Sequence, residues 1–121
     1  MSEQRARQVI CMVGSATTTR MSAPYGDPGV KIWSLNDCWS FIPPGALGNG
    51  SLWFEMHERD WFTGPNRPDG HLEWLRRASM PVFMLQHYDD IPNSIAYPED
   101  EIVANLGCRP YFTSTISFAL A

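Results

Sequence analysis

Val9-Ile10-Cys11-Met12-Val13, followed by Gly14-Ser15-Ala16-Thr17-Thr18 and then by Val30-Lys31-Ile32-Trp33-Ser34 running into Leu35-Asn36-Asp37, is the stretch that decides the fold. Five apolar residues in succession, without alternation, predict a strand covered on both faces, as in a parallel sheet. The glycine directly after them lets the backbone turn sharply and approach a ligand. Ligands of such sheets sit at the carboxyl ends of the strands. The turn from Gly14 to Thr18 and the Asn36-Asp37 pair both belong at that edge, where phosphate and ribose normally bind.

Composition narrows the class. The 121 residues make one domain, large enough for a core but small for a doubly wound sheet with a complete ligand crevice. A hydrophobic content of 44%, with five tryptophans and only 18% charged residues, argues for a packed globular protein rather than a disordered one. The formal charge of -4 and the single lysine, Lys31, leave no broad basic surface, which disfavours nucleic acid as a partner. Cys11, Cys38 and Cys108 have neither disulfide-like nor ligand-like spacing and read as reduced cytoplasmic thiols. The polar start, Met1 to Gln8, followed by five apolar residues, is too short for a secretory signal or a membrane span. The expectation is a cytoplasmic protein with no membrane partner.

Further along, Asp37 to Ile42 predicts one or two helical turns ended by Pro43-Pro44. Ser51 to His57 reads as a third strand, with Leu52, Phe54 and Met56 on one face and Trp53, Glu55 and His57 on the other. After a stretch from Phe62 to Gly70 rich in glycine and proline, Leu72, Leu75 and Ala78 fall at helical spacing within a helix over 71–78. Pro81 to Leu85 forms a fourth strand, Gln86 to Pro98 is turn-rich, and Glu99 to Leu106 is a short helix with carboxylates at its start. Thr113, Ser114 and Thr115 resemble the start of a last helix that runs to Ala121 and stops in mid-turn. These elements predict an α/β, Rossmann-like three-layer domain with a mainly parallel sheet, incomplete at its carboxyl end. The uncovered edge and helix face would then let two copies pair.

The residues also resemble a known family. Val9 to Thr18, Ile32 to Asp37, Trp53 to His57, His71 to Leu75, Pro81 to Met84, Ala96-Tyr97-Pro98 with Glu101-Ile102, and Tyr111 to Ser114 look like an uncharacterised family common in tailed-phage and prophage genomes. Members of that family continue past this point, so the chain resembles its amino-terminal portion. A more distant likeness is to bacterial sialyltransferases that use a cytidine-monophosphate sugar donor. There a Gly-x-Gly-Pro-Ser turn, an asparagine after the second strand and a Thr-Ser-Gly helix start hold the donor; the similar positions here are Gly14 to Thr18, Asn36 and Thr113-Ser114-Thr115. Gly-Pro-Ser is absent, Thr115 replaces the glycine, and the family's later histidine base would lie beyond Ala121. The resemblance implies a CMP-sugar type of substrate and, if the chain is an enzyme, a glycosyltransferase of the sialyltransferase kind.

Two readings stand beside each other at each candidate position. Gly14, Ser15, Thr17 and Thr18, with Arg20 nearby, would bind a phosphate at a helix start, or would only cap that helix. Asn36 and Asp37 would hold ribose or base, or cap the following turn. Glu55 and His57, two apart on one strand face, would act as an acid/base pair, or would be a salt-linked strand end. They make no metal site, because His71 and His87 stand at no ligand spacing from them and no cysteine pair supports one. Asp89-Asp90 reads as a solvated turn, and Trp61 as the one tryptophan free to meet a ligand. No Gly-x-Ser-x-Gly elbow supports a hydrolase. The function expected is a phage-type nucleotide or nucleotide-sugar binding protein; the alternatives are a non-catalytic phage protein that binds a host nucleotide signal or host protein, and an inactive fragment of a longer protein.

Overall fold

A computed structural model describes residues 7–106. Five strands, β1 (Val9–Val13), β2 (Val30–Leu35), β3 (Leu52–Glu55), β4 (Val82–Met84) and β5 (Ser94–Ala96), form one sheet in the order β1-β2-β3-β4-β5. Every neighbouring pair is parallel. Helix α1 (Arg59–Phe62) and helix α2 (His71–Arg77) connect β3 to β4, and α3 (Glu99–Leu106) follows β5. The fold is thus α/β with a Rossmann-like parallel sheet. Among the described residues no helix is long and apolar enough to cross a membrane.

Register partners in a parallel sheet share a face. Val13, Ser34, Trp53, Glu55, Val82, Met84 and Ser94 share one, and each is at least nine-tenths buried. That face carries the connections: Trp53 packs on Trp74 of α2 with ring centroids 4.5 Å apart, and Phe62 of α1 meets Tyr88 edge-on at 5.5 Å. The opposite face bears Trp33, Phe54 and Phe83 in successive ring contact, and Tyr97, just past β5, closes that row edge-on against Phe83 at 6.1 Å. Here Ile10 and Ile95 remain exposed. The strand covered on both faces that the first apolar run predicts is therefore not what forms: Val9 is 54% exposed and only Val13 of β1 is buried. Strand β1 is the outer strand of the described sheet, and its apolar run is partly packed on both faces, with Cys11 on one and Met12 on the other lying against the core while Val9 and Ile10 are exposed.

Other differences from the sequence reading are local. No α-helix follows Gly14; residues Thr17 to Thr19 form a turn, the Arg20 N–H donates to the Ala16 carbonyl at 3.0 Å, and a 3-10 turn at Arg20–Ser22 completes the connection. Asp37 to Ile42 holds a single 3-10 turn at Cys38–Ser40. Strand β5 lies inside the turn-rich stretch and is held by its surroundings: the Val82 N–H donates to the Asn93 carbonyl at 2.9 Å, and the buried Ser94 hydroxyl receives the Tyr88 N–H at 2.8 Å and donates to the Ile91 carbonyl at 2.7 Å. Asp89 and Asp90 form the expected turn, with Asp89 in solvent, but Asp90 is also tied down there. It accepts both Arg59 guanidinium nitrogens, at 2.9 and 2.7 Å, and Arg76 at 3.1 Å, tying the β4–β5 connection to α1 and α2. The arginine hydrogen bonds, Arg59 first, hold its carboxyl well below the usual range. Thr113, Ser114, Cys108 and the last helix lie outside the described residues.

The asymmetry of the sheet is measurable. Leu75→Ala, on the covered face and fully buried, is expected to destabilise the protein by about 2–5 kcal/mol. Ile95→Ala, 44% exposed on the other face, is expected to lose less than about 1 kcal/mol. Urea unfolding of both variants checks this; equal losses would mean that both faces are equally covered.

Candidate active site

Glu55 is the last residue of β3 and its carboxylate is fully buried. A charge in that position survives only if donors converge on it. Two imidazoles do. His71, the first residue of α2, places Nε2 at 3.0 Å from Oε1, and His57, just past the strand, places Nδ1 at 3.2 Å from Oε2. Burial opposes ionisation of Glu55, yet the hydrogen bonds from His57 and His71 outweigh it and hold the carboxyl below its ordinary value.

The tautomers follow from the partners. An indole nitrogen only donates, and Trp39 Nε1 lies 2.8 Å from His71 Nδ1, so that nitrogen is the acceptor and Nε2 carries the hydrogen given to Glu55. Trp39 also stacks on the His71 ring and on Trp74, at interplanar angles of 11° and 10°. His57 in turn donates its Nδ1 hydrogen to the carboxylate, which leaves Nε2 as the basic nitrogen, without a partner among the described residues. Its side chain is 32% exposed, whereas that of His71 is 2%. A buried carboxylate thus orients one accessible imidazole, the arrangement by which a histidine is made a general base.

Beside this pair lie the residues that end β2. Asn36 adopts a left-handed φ of 49°, a conformation asparagine tolerates better than most. Its N–H donates to the Phe54 carbonyl at 2.9 Å, and its carbonyl accepts Trp53 Nε1 at 3.0 Å, so the strained residue is clamped to β3. Its side-chain Oδ1 is buried without a hydrogen-bond partner. Asp37 faces Arg67 at 3.9 Å; Arg67 lies 5.0 Å over the Trp61 ring; and Trp61 meets His57 at 5.6 Å. Asn36, Asp37, Glu55 and His57 therefore belong to one contiguous cluster at the carboxyl edge of β2 and β3. Trp61 is half exposed, but it is placed against both a guanidinium and an imidazole and serves as the spacer between them.

The first turn lies at the same carboxyl edge, one strand over, because Val13 pairs with Ser34 in parallel register. Gly14, with Cys11, Met12, Ala16, Thr19 and Arg20, lines a cleft of about 300 Å³ that takes in none of Ser15, Thr17 or Thr18, which are exposed. Arg20 lies over the Phe41 ring at 4.4 Å. Without an α-helix after Gly14, the backbone there offers no helix N-terminus for a phosphate.

Sequence reasoning missed Trp39, Arg67 and His71. His71 stands 16 residues from Glu55, and no spacing rule connects them because the crossover that returns α2 over the sheet has no fixed length. One signal was available: a glutamate directly after Leu52-Trp53-Phe54, on the same face as Trp53, must be buried and must find donors. Among the described residues no group of three His, Cys, Asp or Glu side chains is placed to hold a metal ion; in the Glu55, His57 and His71 cluster both imidazoles are hydrogen bonded to the carboxylate. No family model, curated protein or solved structure matches the chain.

Glu55 makes stability pH-dependent in a fixed direction. Its pKa in the folded protein lies below the unfolded value of about 4.3, so its stabilisation is complete above that value and is lost as pH falls through the folded pKa. Glu55→Gln is expected to destabilise by about 1–3 kcal/mol at neutral pH. The difference from the parent chain should shrink below pH ~4.3. Thermal unfolding of the two proteins between pH 3 and pH 7 checks both statements, and a pH-independent difference would contradict them.

Proposed function

We propose that the carboxyl edge of β2 and β3 is a ligand site for a nucleotide or nucleotide-sugar, and that His57, oriented by Glu55, is its general acid/base. The observation that carries this reading is the buried carboxylate that fixes the His57 tautomer and leaves Nε2 open, with the buried Oδ1 of Asn36, at the end of the neighbouring strand, also without a partner. Leaving a buried acceptor unpaired costs about 1–3 kcal/mol, a penalty that a ligand donor would remove. The likeness of Asn36 and of the Gly14 turn to the donor-holding positions of CMP-sugar enzymes supports the ligand class.

In a glycosyl transfer at this site, His57 Nε2 accepts the proton of the acceptor hydroxyl. The hydroxyl oxygen bonds to the anomeric carbon, and the bond from that carbon to the phosphate oxygen breaks, its electron pair leaving with the nucleotide. Asn36 and Asp37 lie where ribose or base would be held.

A panel of nucleotides and nucleotide-sugars, read by thermal unfolding, tests the binding. A ligand at 100 times its Kd is expected to stabilise the fold by about 2.7 kcal/mol. His57→Gln is expected to retain most of that stabilisation while lowering transfer, followed by mass spectrometry of the products, by roughly 10²- to 10⁴-fold. A well-folded chain whose midpoint no member of the panel moves would overturn the reading.

A further inference from the structure

We propose that Arg67 forms an oxyanion site in the cleft it lines, receiving a phosphoryl or carboxylate group of the ligand and exchanging Asp37 for it. The proposal rests on the reading of the β2–β3 edge as a ligand site and names the group that the site grips.

The argument begins with a contrast among the arginines. Arg59 makes a bidentate pair with Asp90, Arg76 bonds the same carboxylate at 3.1 Å, and Arg77 lies 2.8 Å from Glu73. Their side chains are 42%, 41% and 80% exposed. The Arg67 side chain is 15% exposed, yet its guanidinium has no hydrogen-bond acceptor among the described residues. Its Nε is buried and unpartnered. The nearest carboxylate oxygen, on Asp37, stands at 3.9 Å, beyond hydrogen-bond range. The most buried of these four cations is thus the least satisfied, the reverse of what desolvation requires.

The close contact Arg67 does make is with a ring rather than an acceptor. Its guanidinium lies over Trp61, and Trp61 is held against His57. Arg67 lines a cleft of about 370 Å³ together with Thr63, Asp69, His71, Glu73 and Arg76. Glu73 is already engaged by Arg76 and Arg77. None of His57, Asn36, Asp37 and Trp61 lines the cleft; His71, bonded to Glu55, and Arg67, set between Asp37 and the Trp61 ring, join its wall to the acid/base pair. A planar guanidinium with unused donors matches two oxygens of one oxyanion, a geometry that an ammonium cannot reproduce.

The full chain, Arg67→Met and Asp37→Asn are titrated with inorganic phosphate, acetate, a nucleoside 5′-monophosphate and the parent nucleoside, read by tryptophan fluorescence and thermal midpoint. Arg67→Met keeps much of the side-chain length without donors and is expected to weaken anion binding by roughly 10- to 100-fold. Asp37→Asn leaves Arg67 in place and removes its competing carboxylate, so anion affinity should rise, which a merely structural pair would not produce. Phosphate and the monophosphate binding without acetate assigns a phosphoryl group; acetate competing with them assigns a carboxylate. Phosphate and acetate affinities equal in the parent chain and Arg67→Met, or a phosphate affinity lowered by Asp37→Asn, overturn the proposal. A monophosphate that binds both proteins alike removes the Arg67 site and leaves the nucleotide reading standing. Phosphate bound through Arg67, with every nucleotide excluded, keeps the anion site and removes that reading.

Discussion

A buried carboxylate at the end of β3 is the constraint on which the site depends. Glu55 is ionised against the pull of burial only because two imidazole hydrogens reach it, and each imidazole is fixed in turn. The hydrogen bond from Trp39 sets the His71 tautomer, and the stack of Trp39 on Trp74 sets the position of Trp39. One charge therefore ties the 3-10 turn after β2, the start of α2 and the loop after β3 to a single point. Removing a donor would leave the charge uncompensated in a dry environment, the costly direction for such a network.

Sheet topology explains why these groups meet. Strands taken in sequential order, each parallel to the last, send their connections back over the sheet, and here α1 and α2 pack on the face that carries Trp53 and Glu55. The strand order does not reverse among the described strands, so no crevice between diverging connections forms there. What forms instead is an edge site, built where the ends of β2 and β3 meet the residues leading into α2. Its backbone is held rigidly: Asn36, in a left-handed conformation, is bonded through its N–H and its carbonyl to consecutive residues of β3.

Charge is distributed unequally around that edge. Arg59 and Arg76 spend their donors on Asp90 and hold α1, α2 and the β4–β5 connection together, partly in solvent, where such pairs contribute modestly. Arg67, linked to His57 through the Trp61 ring and far less exposed, is stacked but not hydrogen bonded among the described residues. The same residue type thus serves as a structural clamp in Arg59 and Arg76 and keeps unused donors in Arg67, although Arg67 and Arg76 line one cleft.

The periodicity of the sequence determined the first four strands, the helix at His71–Arg77 and the alternation that puts Trp53 and Glu55 on one face, because apolar spacing is a local property of the chain. It also brought Asn36, Asp37, Glu55 and His57 to the carboxyl edge. It did not reveal β5, three residues held by contacts with β4 and by the Ser94 hydroxyl, or α1, a single turn without a periodic pattern. It supplied a helix after Gly14 that does not form. The second partner of Glu55, His71, the Trp39 donor that fixes it, and the placing of Arg67 opposite Asp37 were decided by tertiary structure alone. Each joins groups across a crossover, and the sequence distance across a crossover carries no information about which side chains converge when the chain returns to the sheet.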